Sequence, residues 1–375
     1  MLVRNLFFAV ACGVIAIGVG SVRIAEARPA AKPTAAQERV KGSASGKVPQ
    51  FAPTSGKAAR FAPVARKAEP PVRRGRAATR VSFRVVERHR PSIGQVIGLH
   101  SVDDPLDLHS SVAMVIDQNT DGILFEKNSS AVLPIASITK LMTAMVVLDA
   151  HLPMGEPLDI SEADIDLEKF SSSRLRPGSR LTRGEMMHLA LMASENRAAS
   201  ALGRHYPGGL AAFVAAMNDK ARSLGMRDSL FVDPTGLSSR NVSNARDLAK
   251  MVRAASDYPM IRQYSTAAEL TVDTGLRLVS FRSTNRLIDS PSWEIGLQKT
   301  GYINEAGNCL VMLATIEGRP VIMVLLDAAG RASRFADAGR LKTWLESGHE
   351  VAEPPSVLRT SSHTRVIRGR AALGS

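Results

Sequence analysis

Ser137 and Lys140 have the spacing that points most directly to chemistry, because they form the only S-x-x-K in the 375 residues of this chain. Residues three apart lie on one face of a helix, so the Lys140 amine can reach the Ser137 hydroxyl. A serine is a poor nucleophile until a base takes its proton, and a lysine becomes that base only where an apolar setting lowers its pKa. The largely apolar residues 141–148 follow directly. The motif therefore predicts a serine nucleophile with a lysine base.

An S-x-N tripeptide follows at Ser194 and Asn196. It ends an amphipathic stretch, residues 181–193, whose apolar positions recur at helical spacing. The hydroxyl can pass a proton to a departing amine, and the side-chain amide can hold a lysine. Two other S-x-N tripeptides, at residues 239–241 and 283–285, do not end such a helix. We therefore assign the second motif to Ser194 and Asn196.

The third motif is Lys299, Thr300 and Gly301, the only K-T-G of the chain. It precedes two β-rich runs, which favours a position on a strand. A lysine and a hydroxyl on an edge strand can bind a carboxylate, and a glycine lets a ligand approach the backbone closely. The three motifs together predict acyl transfer through a covalent ester on serine.

The order S-x-x-K, S-x-N, K-T-G is typical of penicillin-interacting serine enzymes. From about residue 110 to residue 345 the chain resembles the low-molecular-mass penicillin-binding proteins of the D-alanyl-D-alanine peptidase family. The stretches that carry the resemblance are residues 134–140, 192–199, 233–237 and 297–301. Within the family it most resembles the periplasmic endopeptidases, because Glu195 stands inside the S-x-N and Gln298 precedes the K-T-G. Tyr302 stands where those relatives are expected to have Phe, so an aromatic ring is kept.

The resemblance implies a role for each motif residue. Ser137 would attack a D-alanine carbonyl in crosslinked peptidoglycan, and its backbone N–H and that of Tyr302 would form the oxyanion hole. Ser194 would relay the proton to the leaving amine, and Asn196 would orient the lysine. The residues that would bind the carboxylate side are Lys299 and Thr300, beside Gly301. β-Lactams would acylate the same serine.

The elements that must position these motifs read as strands at both ends of a domain with helices between. Expected strands lie at residues 112–116, 123–125, 297–299, 310–316 and 321–326, the middle from 137 to about 265 reads as largely helical, and a helix closes the domain at 333–345. This order implies an antiparallel sheet with helices on its faces. The family resemblance implies the same α/β, β-lactamase/transpeptidase-like fold, with a mainly helical region beside the sheet.

The ends of the chain predict an exported protein. Residues 1–27 combine Arg4, an uncharged apolar stretch and an A-x-A site, which is typical of a secretory signal peptide. We expect a periplasmic protein, or a membrane-associated one if the signal is uncleaved. Residues 28–105 are expected to be a disordered Ala/Pro/Arg-rich linker, residues 106–348 the catalytic domain, and residues 349–375 a flexible tail.

The positive charge of the chain is concentrated in one segment. Residues 28–90 hold sixteen Lys/Arg against three Glu, a net of +13, whereas residues 91–375 hold thirty basic and thirty-one acidic residues. This segment either serves as a solvated spacer or adheres to anionic envelope polymers. Nucleic acid is a disfavoured partner because of the export signal.

Several other functions fit the motifs less well. A D-alanyl-D-alanine carboxypeptidase would use the same site and differ only in its leaving amine, so it remains an alternative. A class A β-lactamase would need an E-x-x-L-N segment, which is not found after the second motif. A non-catalytic envelope-binding module would make the motif set a coincidence. The eight histidines are scattered without metal-ligand spacing, so neither a metal nor a cofactor is expected.

Overall fold

The computed structural model describes residues 90–348. The predicted signal peptide, most of the predicted linker and the predicted tail at residues 349–375 lie outside the described residues. Between residues 90 and 348, no helix is both long enough and apolar enough to span a bilayer.

The architecture is a five-stranded antiparallel sheet with three small two-stranded sheets beside it. The strands are β1 (Ser110–Asp117), β2 (Ile123–Lys127), β3 (Leu133–Pro134), β4 (Pro157–Asp159), β5 (Arg180–Thr182), β6 (Val242–Ser243), β7 (Glu269–Asp273), β8 (Leu278–Arg282), β9 (Glu294–Ile303), β10 (Gly307–Ile316) and β11 (Arg319–Ala328). The order in the large sheet is β2-β1-β11-β10-β9, so β9 is an edge strand. The K-T-G lies on this edge.

Helices cover both faces of the large sheet. They are α1 (Ile93–Val96), α2 (Thr139–Asp149), α3 (Arg183–Met192), α4 (Asn196–Arg204), α5 (Gly209–Ser223), α6 (Ala245–Ser256), α7 (Pro259–Thr266) and α8 (Ser333–Glu346). One face packs on the helical region, and the other packs on α8. All eight residues of β1 are buried, as expected for a strand covered on both faces. The predicted sheet with helices on its faces is confirmed.

Helix α2, which begins beside Ser137, is the centre of the helical region. Nine of its residues are buried, from Thr139 to Val147, and α3, α4, α5 and α6 pack around it. A helix that is apolar on all sides is stable only in such a surrounded position. The apolar run after the S-x-x-K therefore places Lys140 inside the core.

The boundary predicted between linker and domain is wrong over residues 90–105. Ser92 begins α1 with a capping box, and the Ile93 N–H donates to the Glu305 carbonyl at 3.0 Å. Asp104 forms a buried ion pair with Lys127 of β2, in which Lys127 Nζ lies 2.8 Å from Asp104 Oδ2. The strongly basic composition ends at Arg90, and from there the chain supplies caps and a carboxylate that fix it to the domain.

The hairpin of β7 and β8 is not among the strands expected above. Only Val272, Val279 and Phe281 of its ten residues are buried, so its apolar signal is weak. Its turn contains Gly275 in the left-handed region at φ 73°. This glycine is the one residue of the segment whose type indicates a hairpin turn.

Candidate active site

Ser137 lies in a single 3-10 turn, Ala136–Ile138, that leads into α2. Ala136 has φ 47°, a conformation that a non-glycine residue seldom adopts. The Thr139 hydroxyl donates to the Ala136 carbonyl at 2.8 Å and holds this turn closed. Ser137 is half-buried while its neighbours in the turn are buried, so its hydroxyl is the group presented to the cleft.

The Lys140 amine is held by oxygens from three separate segments. Its Nζ lies 2.9 Å from Ser137 Oγ, 2.7 Å from Asn196 Oδ1 and 2.6 Å from the Thr235 carbonyl oxygen. The side chain is fully buried, and this burial lowers its pKa to about 7 although the nearby charges of Asp233 and Glu195 oppose the shift. A lysine with this pKa is neutral in a large fraction of molecules near neutral pH, as a general base must be.

The Thr235 carbonyl is positioned by a tight turn built on Asp233. The Asp233 carboxylate accepts backbone N–H groups from Thr235 at 2.6 Å, Gly236 at 2.7 Å and Ser238 at 3.1 Å. Gly236 has φ 80°, and a Cβ there would lie 1.9 Å from the Ala136 carbonyl oxygen. This turn therefore packs backbone to backbone against the turn of Ser137.

Asn196 is the first residue of α4, and its side chain faces Lys140. Its Oδ1 accepts from the lysine while its Nδ2 donates to the Ser171 hydroxyl at 2.9 Å. Glu195 is buried, and its carboxylate accepts from the Ser173 hydroxyl. Burial raises the pKa of Glu195, although that hydrogen bond and the charge of Lys140 oppose the shift.

Ser194 occupies the turn between α3 and α4 with φ 58°. Its side chain is half-buried and makes no hydrogen bond to any other residue in the described range 90–348. The structure thus brings Lys140 into direct contact with Ser137 and Asn196, and it places Ser194 in the turn just before Asn196, without a hydrogen bond to the lysine.

The K-T-G approaches from the sheet side. Lys299 is fully buried, its Nζ donates to the Thr300 carbonyl at 2.8 Å, and burial together with the positive charges of Lys140 and Arg334 holds its pKa well below the usual range. A Cβ at Gly301 would lie 2.9 Å from the Ile135 carbonyl oxygen. The absence of a side chain at Gly301 lets β9 lie against the segment that carries Ser137.

Tyr302 follows on the same strand with its side chain half exposed, and its hydroxyl donates to Asn304 Oδ1 at 2.8 Å. Thr300 shares a hydrogen bond with Thr284 at 2.5 Å, and the Thr284 N–H donates to the Met192 carbonyl at 3.1 Å. The tripeptide at residues 283–285 thus links β9 to the end of α3 by hydrogen bonds and supports the site without taking part in the predicted chemistry.

Three groups that support the site are not predicted by the three motifs. The Thr235 carbonyl holds Lys140, Ser171 holds Asn196, and buried Arg334 on α8 donates to the Gly301 carbonyl at 3.1 Å and to Asn308 Oδ1 at 2.9 Å. A backbone carbonyl leaves no residue signature. The D-P-T-G turn around Thr235 was the only visible sign of these three.

Comparison with known proteins identifies the family. Residues 99–330 match the serine peptidase family S11, described as D-alanyl-D-alanine carboxypeptidase. The chain belongs to this family. A D-alanyl-D-alanine endopeptidase of Pseudomonas aeruginosa is 51% identical over 252 residues, which are 66% of this chain and 81% of the relative. One of Escherichia coli is 48% identical over 254 residues, 67% of this chain and 82% of the relative.

Solved structures of penicillin-interacting enzymes share the fold of this S11 peptidase. The Streptomyces K15 DD-transpeptidase superposes with a TM-score of 0.60 at 26% identity, over 65% of this chain and 98% of that one. Penicillin-binding protein D2 of Listeria monocytogenes in its ampicillin-bound form gives 0.55 at 31% identity, over 64% and 98%. The chain is therefore a serine DD-peptidase by family and by fold.

Proposed function

We propose that this S11 peptidase hydrolyses D-alanyl crosslinks in peptidoglycan through an acyl-enzyme on Ser137, with Lys140 as the base. One observation carries the proposal. A neutral lysine amine has two N–H groups and one lone pair, and Lys140 Nζ faces two acceptors without a proton, Asn196 Oδ1 and the Thr235 carbonyl, and one hydroxyl. The two N–H groups are therefore used, and the lone pair points at the proton of Ser137.

The first half of the reaction is acylation. Ser137 Oγ bonds to the carbonyl carbon of the donor D-alanine while its proton passes to Lys140 Nζ. The C–N bond then breaks, and the leaving amine takes a proton from the lysine through the Ser194 hydroxyl. Backbone N–H groups of Ser137 and Tyr302 stabilise the negative oxygen, a role supported by the close approach of β9 to the Ser137 turn.

The second half is hydrolysis of the ester. Lys140, neutral again, takes a proton from the attacking water and returns it to Ser137 Oγ as the serine leaves. Lys299 and Thr300 bind the carboxylate side of the substrate, since both lie on the edge strand that faces the serine. The strained amide of a β-lactam would react by the same first step. The ampicillin-bound Listeria relative supports this extension.

We propose endopeptidase over carboxypeptidase activity because of the relatives. Those named D-alanyl-D-alanine endopeptidase in Pseudomonas aeruginosa and Escherichia coli are 51% and 48% identical, whereas a D-alanyl-D-alanine carboxypeptidase of Bacillus subtilis is 30% identical. The two activities share every step and differ only in the amine that leaves.

Digestion of defined muropeptides tests the assignment. Purified protein would be incubated with a crosslinked dimer and with a pentapeptide monomer, with Ser137→Ala as the control, and the products identified by mass spectrometry. We expect dimers to become monomers and pentapeptides to stay intact. Release of D-alanine from the pentapeptide alone would make the protein a carboxypeptidase, and dimer cleavage by the alanine variant would remove Ser137 from the mechanism.

We also propose that the protein works in the periplasm and that residues 28–90 hold it near anionic envelope polymers. The support is the predicted signal peptide and the net charge of +13 on that segment. Binding of the chain with and without residues 28–90 to isolated cell walls would be compared at low and high salt. We expect the longer form alone to bind, and only at low salt.

A further inference from the structure

One ion pair joins the two sides of the cleft and has no part in the chemistry above. Lys169 lies in the loop before β5, and Glu305 lies in the turn between β9 and β10. Lys169 Nζ is 2.7 Å from Glu305 Oε1. The loop belongs to the helical region that carries Ser137, and the turn belongs to the strand pair that carries Lys299, so the pair spans the gap between them.

The loop of Lys169 has backbone hydrogen bonds of its own, separate from this ion pair. The Asp166 carboxylate accepts the backbone N–H groups of Glu168 and Lys169, each at 2.9 Å, and of Ser171 at 2.8 Å. These bonds stabilise the carboxylate and hold its pKa below the usual range, although burial opposes the shift. Residues 166–171 therefore form a loop held by its own hydrogen bonds, which we call the arch. The contact of Lys169 with Glu305 is an additional link.

The arch stands beside the catalytic residues. Ser171, at its end, accepts the hydrogen bond from Asn196. Two of its apolar side chains, Leu167 and Phe170, are 76% and 80% exposed. Exposed apolar groups beside a catalytic cleft are available for apolar contact with a ligand. On the opposite side, the Tyr302 ring is 49% exposed on β9.

The direction of β9 indicates which part of a substrate meets the arch. Thr300 is proposed to bind the carboxylate on the leaving side, and Gly301 lies opposite the attacking serine. Residues from Tyr302 to Glu305 continue along the strand away from the leaving side. An extended peptide lying along this edge therefore places the arm that becomes the acyl group, the donor arm, between Tyr302 and Lys169.

We propose that Lys169 and Glu305 form a strap across the donor arm of the peptide and select substrates that have a long arm. The strap closes the cleft over the arm, and Leu167 and Phe170 supply apolar contact. Binding through the arm acts at a distance from the reacting atoms, so it lowers KM more than it raises kcat. This inference rests on the proposed function and names the residues that set its substrate preference.

The test compares two substrates that share a leaving group. One is a crosslinked dimer with a complete donor arm, and the other is the same dimer with its donor arm trimmed to an acetylated D-alanine. Lys169→Met, Glu305→Gln and the double variant would be assayed on both. We expect each single change to raise KM for the long-arm substrate about fivefold, the most that a partly exposed pair usually contributes. KM for the short-arm substrate stays within a factor of about two.

The remaining variants isolate the ion pair. In a double-mutant cycle, the double variant is expected to be no worse than either single one, because the second change removes nothing further. Lys169→Arg keeps the charge and should retain the wild-type KM. Lys250→Met removes a lysine of similar pairing, 2.8 Å from Asp247 on α6, and should change neither substrate.

Two outcomes would overturn the strap. Equal changes on the long-arm and short-arm substrates would make the ion pair a general structural link, and additive losses in the double variant would show that the two residues act separately. Acylation of Ser137 by a fluorescent penicillin would be followed in every variant. It separates failure of the strap proposal from failure of the proposed function. A wild-type protein that is not acylated contradicts the proposed function and leaves the strap without a reaction to select for.

Discussion

At the scale of single residues, the site depends on keeping one lysine neutral inside the core. Burial lowers the pKa of Lys140 to about 7, and two carboxylates, Asp233 and Glu195, act against that shift. Only the neutral amine can take the proton of Ser137. We therefore expect the rate of acylation by a penicillin to rise as pH increases through about 7 and to level off above it. A stopped-flow profile from pH 5.5 to 9 measures this, and a flat profile would contradict it.

Two substitutions should move that profile in opposite directions. Glu195→Gln removes a negative charge near the amine but keeps the shape of the side chain, so the pKa of Lys140 falls and the midpoint moves to lower pH. Asn196→Asp adds a negative charge at an atom now 2.7 Å from Nζ, so the pKa rises and the midpoint moves to higher pH. Because Lys299 also has a lowered pKa, these opposite shifts assign the titration to Lys140. Parallel shifts would assign it elsewhere.

The residue types of the site were visible in the sequence, but their supports were not. The spacing of Ser137 and Lys140 predicts a contact that one helical turn imposes, and the structure has it at 2.9 Å. The Thr235 carbonyl and Ser171 come from segments far along the chain. Packing of the whole domain decides which distant segments contact a motif. A local sequence pattern therefore does not predict these contacts. Ser194 shows the same limit, since its motif predicts a place near Lys140, yet the three oxygens that hold the amine belong to Ser137, Asn196 and Thr235.

At the scale of elements, the nucleophile is held by backbone contact between two turns. The long elements of the domain were predictable from their apolar residues. The strands β1, β10 and β11 contain nearly continuous apolar runs, and they and α8 lie where the sequence places them. The turns that present Ser137 are different. They depend on glycines that allow two backbone segments to lie in contact. The sequence does not show whether a glycine packs against another backbone or faces solvent.

Gly236 and Gly225 allow that difference to be measured. Both have φ near 70–80°, but a Cβ at Gly236 would overlap the Ala136 carbonyl oxygen, whereas nothing lies within 4 Å of one at Gly225. Gly225→Ala should cost about 1 kcal/mol of unfolding free energy, for the left-handed backbone alone. Gly236→Ala adds a backbone clash, about 3 kcal/mol more, and should slow penicillin acylation severely. Urea unfolding and acylation rates measure both. Equal costs for the two variants would mean that the turns do not need this contact.

At the scale of the whole molecule, the segment before the first strand is part of the domain. Asp104 and Lys127 form an ion pair whose side chains are almost completely buried, and Asp104 also accepts the Leu106 N–H at 2.9 Å. Lys127 and these N–H groups hold the pKa of Asp104 below its ordinary value although burial opposes them. A carboxyl with a lowered folded pKa stabilises the protein above its unfolded pKa, and that stability is lost as pH falls through the folded pKa.

Asp104→Asn isolates this pair. The variant leaves the Lys127 charge buried without its partner, so we expect a loss of about 3 kcal/mol at pH 7. The difference from wild type should shrink as pH falls from about 4, the pKa of the unfolded carboxyl, towards the lowered pKa of the folded one. Urea unfolding at a series of pH values measures it. A difference that stays constant down to pH 2.5 would show that the charge of Asp104 is not what stabilises the segment.

Truncation tests whether the domain begins at residue 90, where its contacts begin, or at residue 106, the predicted boundary. A chain of residues 90–348 keeps the Ile93 bond to Glu305 and the Asp104 pair, so we expect it to unfold at the same urea concentration as the protein from residue 28 onward and to be acylated by penicillin at the same rate. A chain of residues 106–348, the predicted catalytic domain, loses both contacts and leaves Lys127 without its ion-pair partner. It should be less stable by about 3 kcal/mol or more. If the two truncated chains were equally stable, the N-terminal segment would lie on the domain without supporting it. The ordered helix α1 would then be an accessory element, and the predicted boundary at residue 106 would be the functional one.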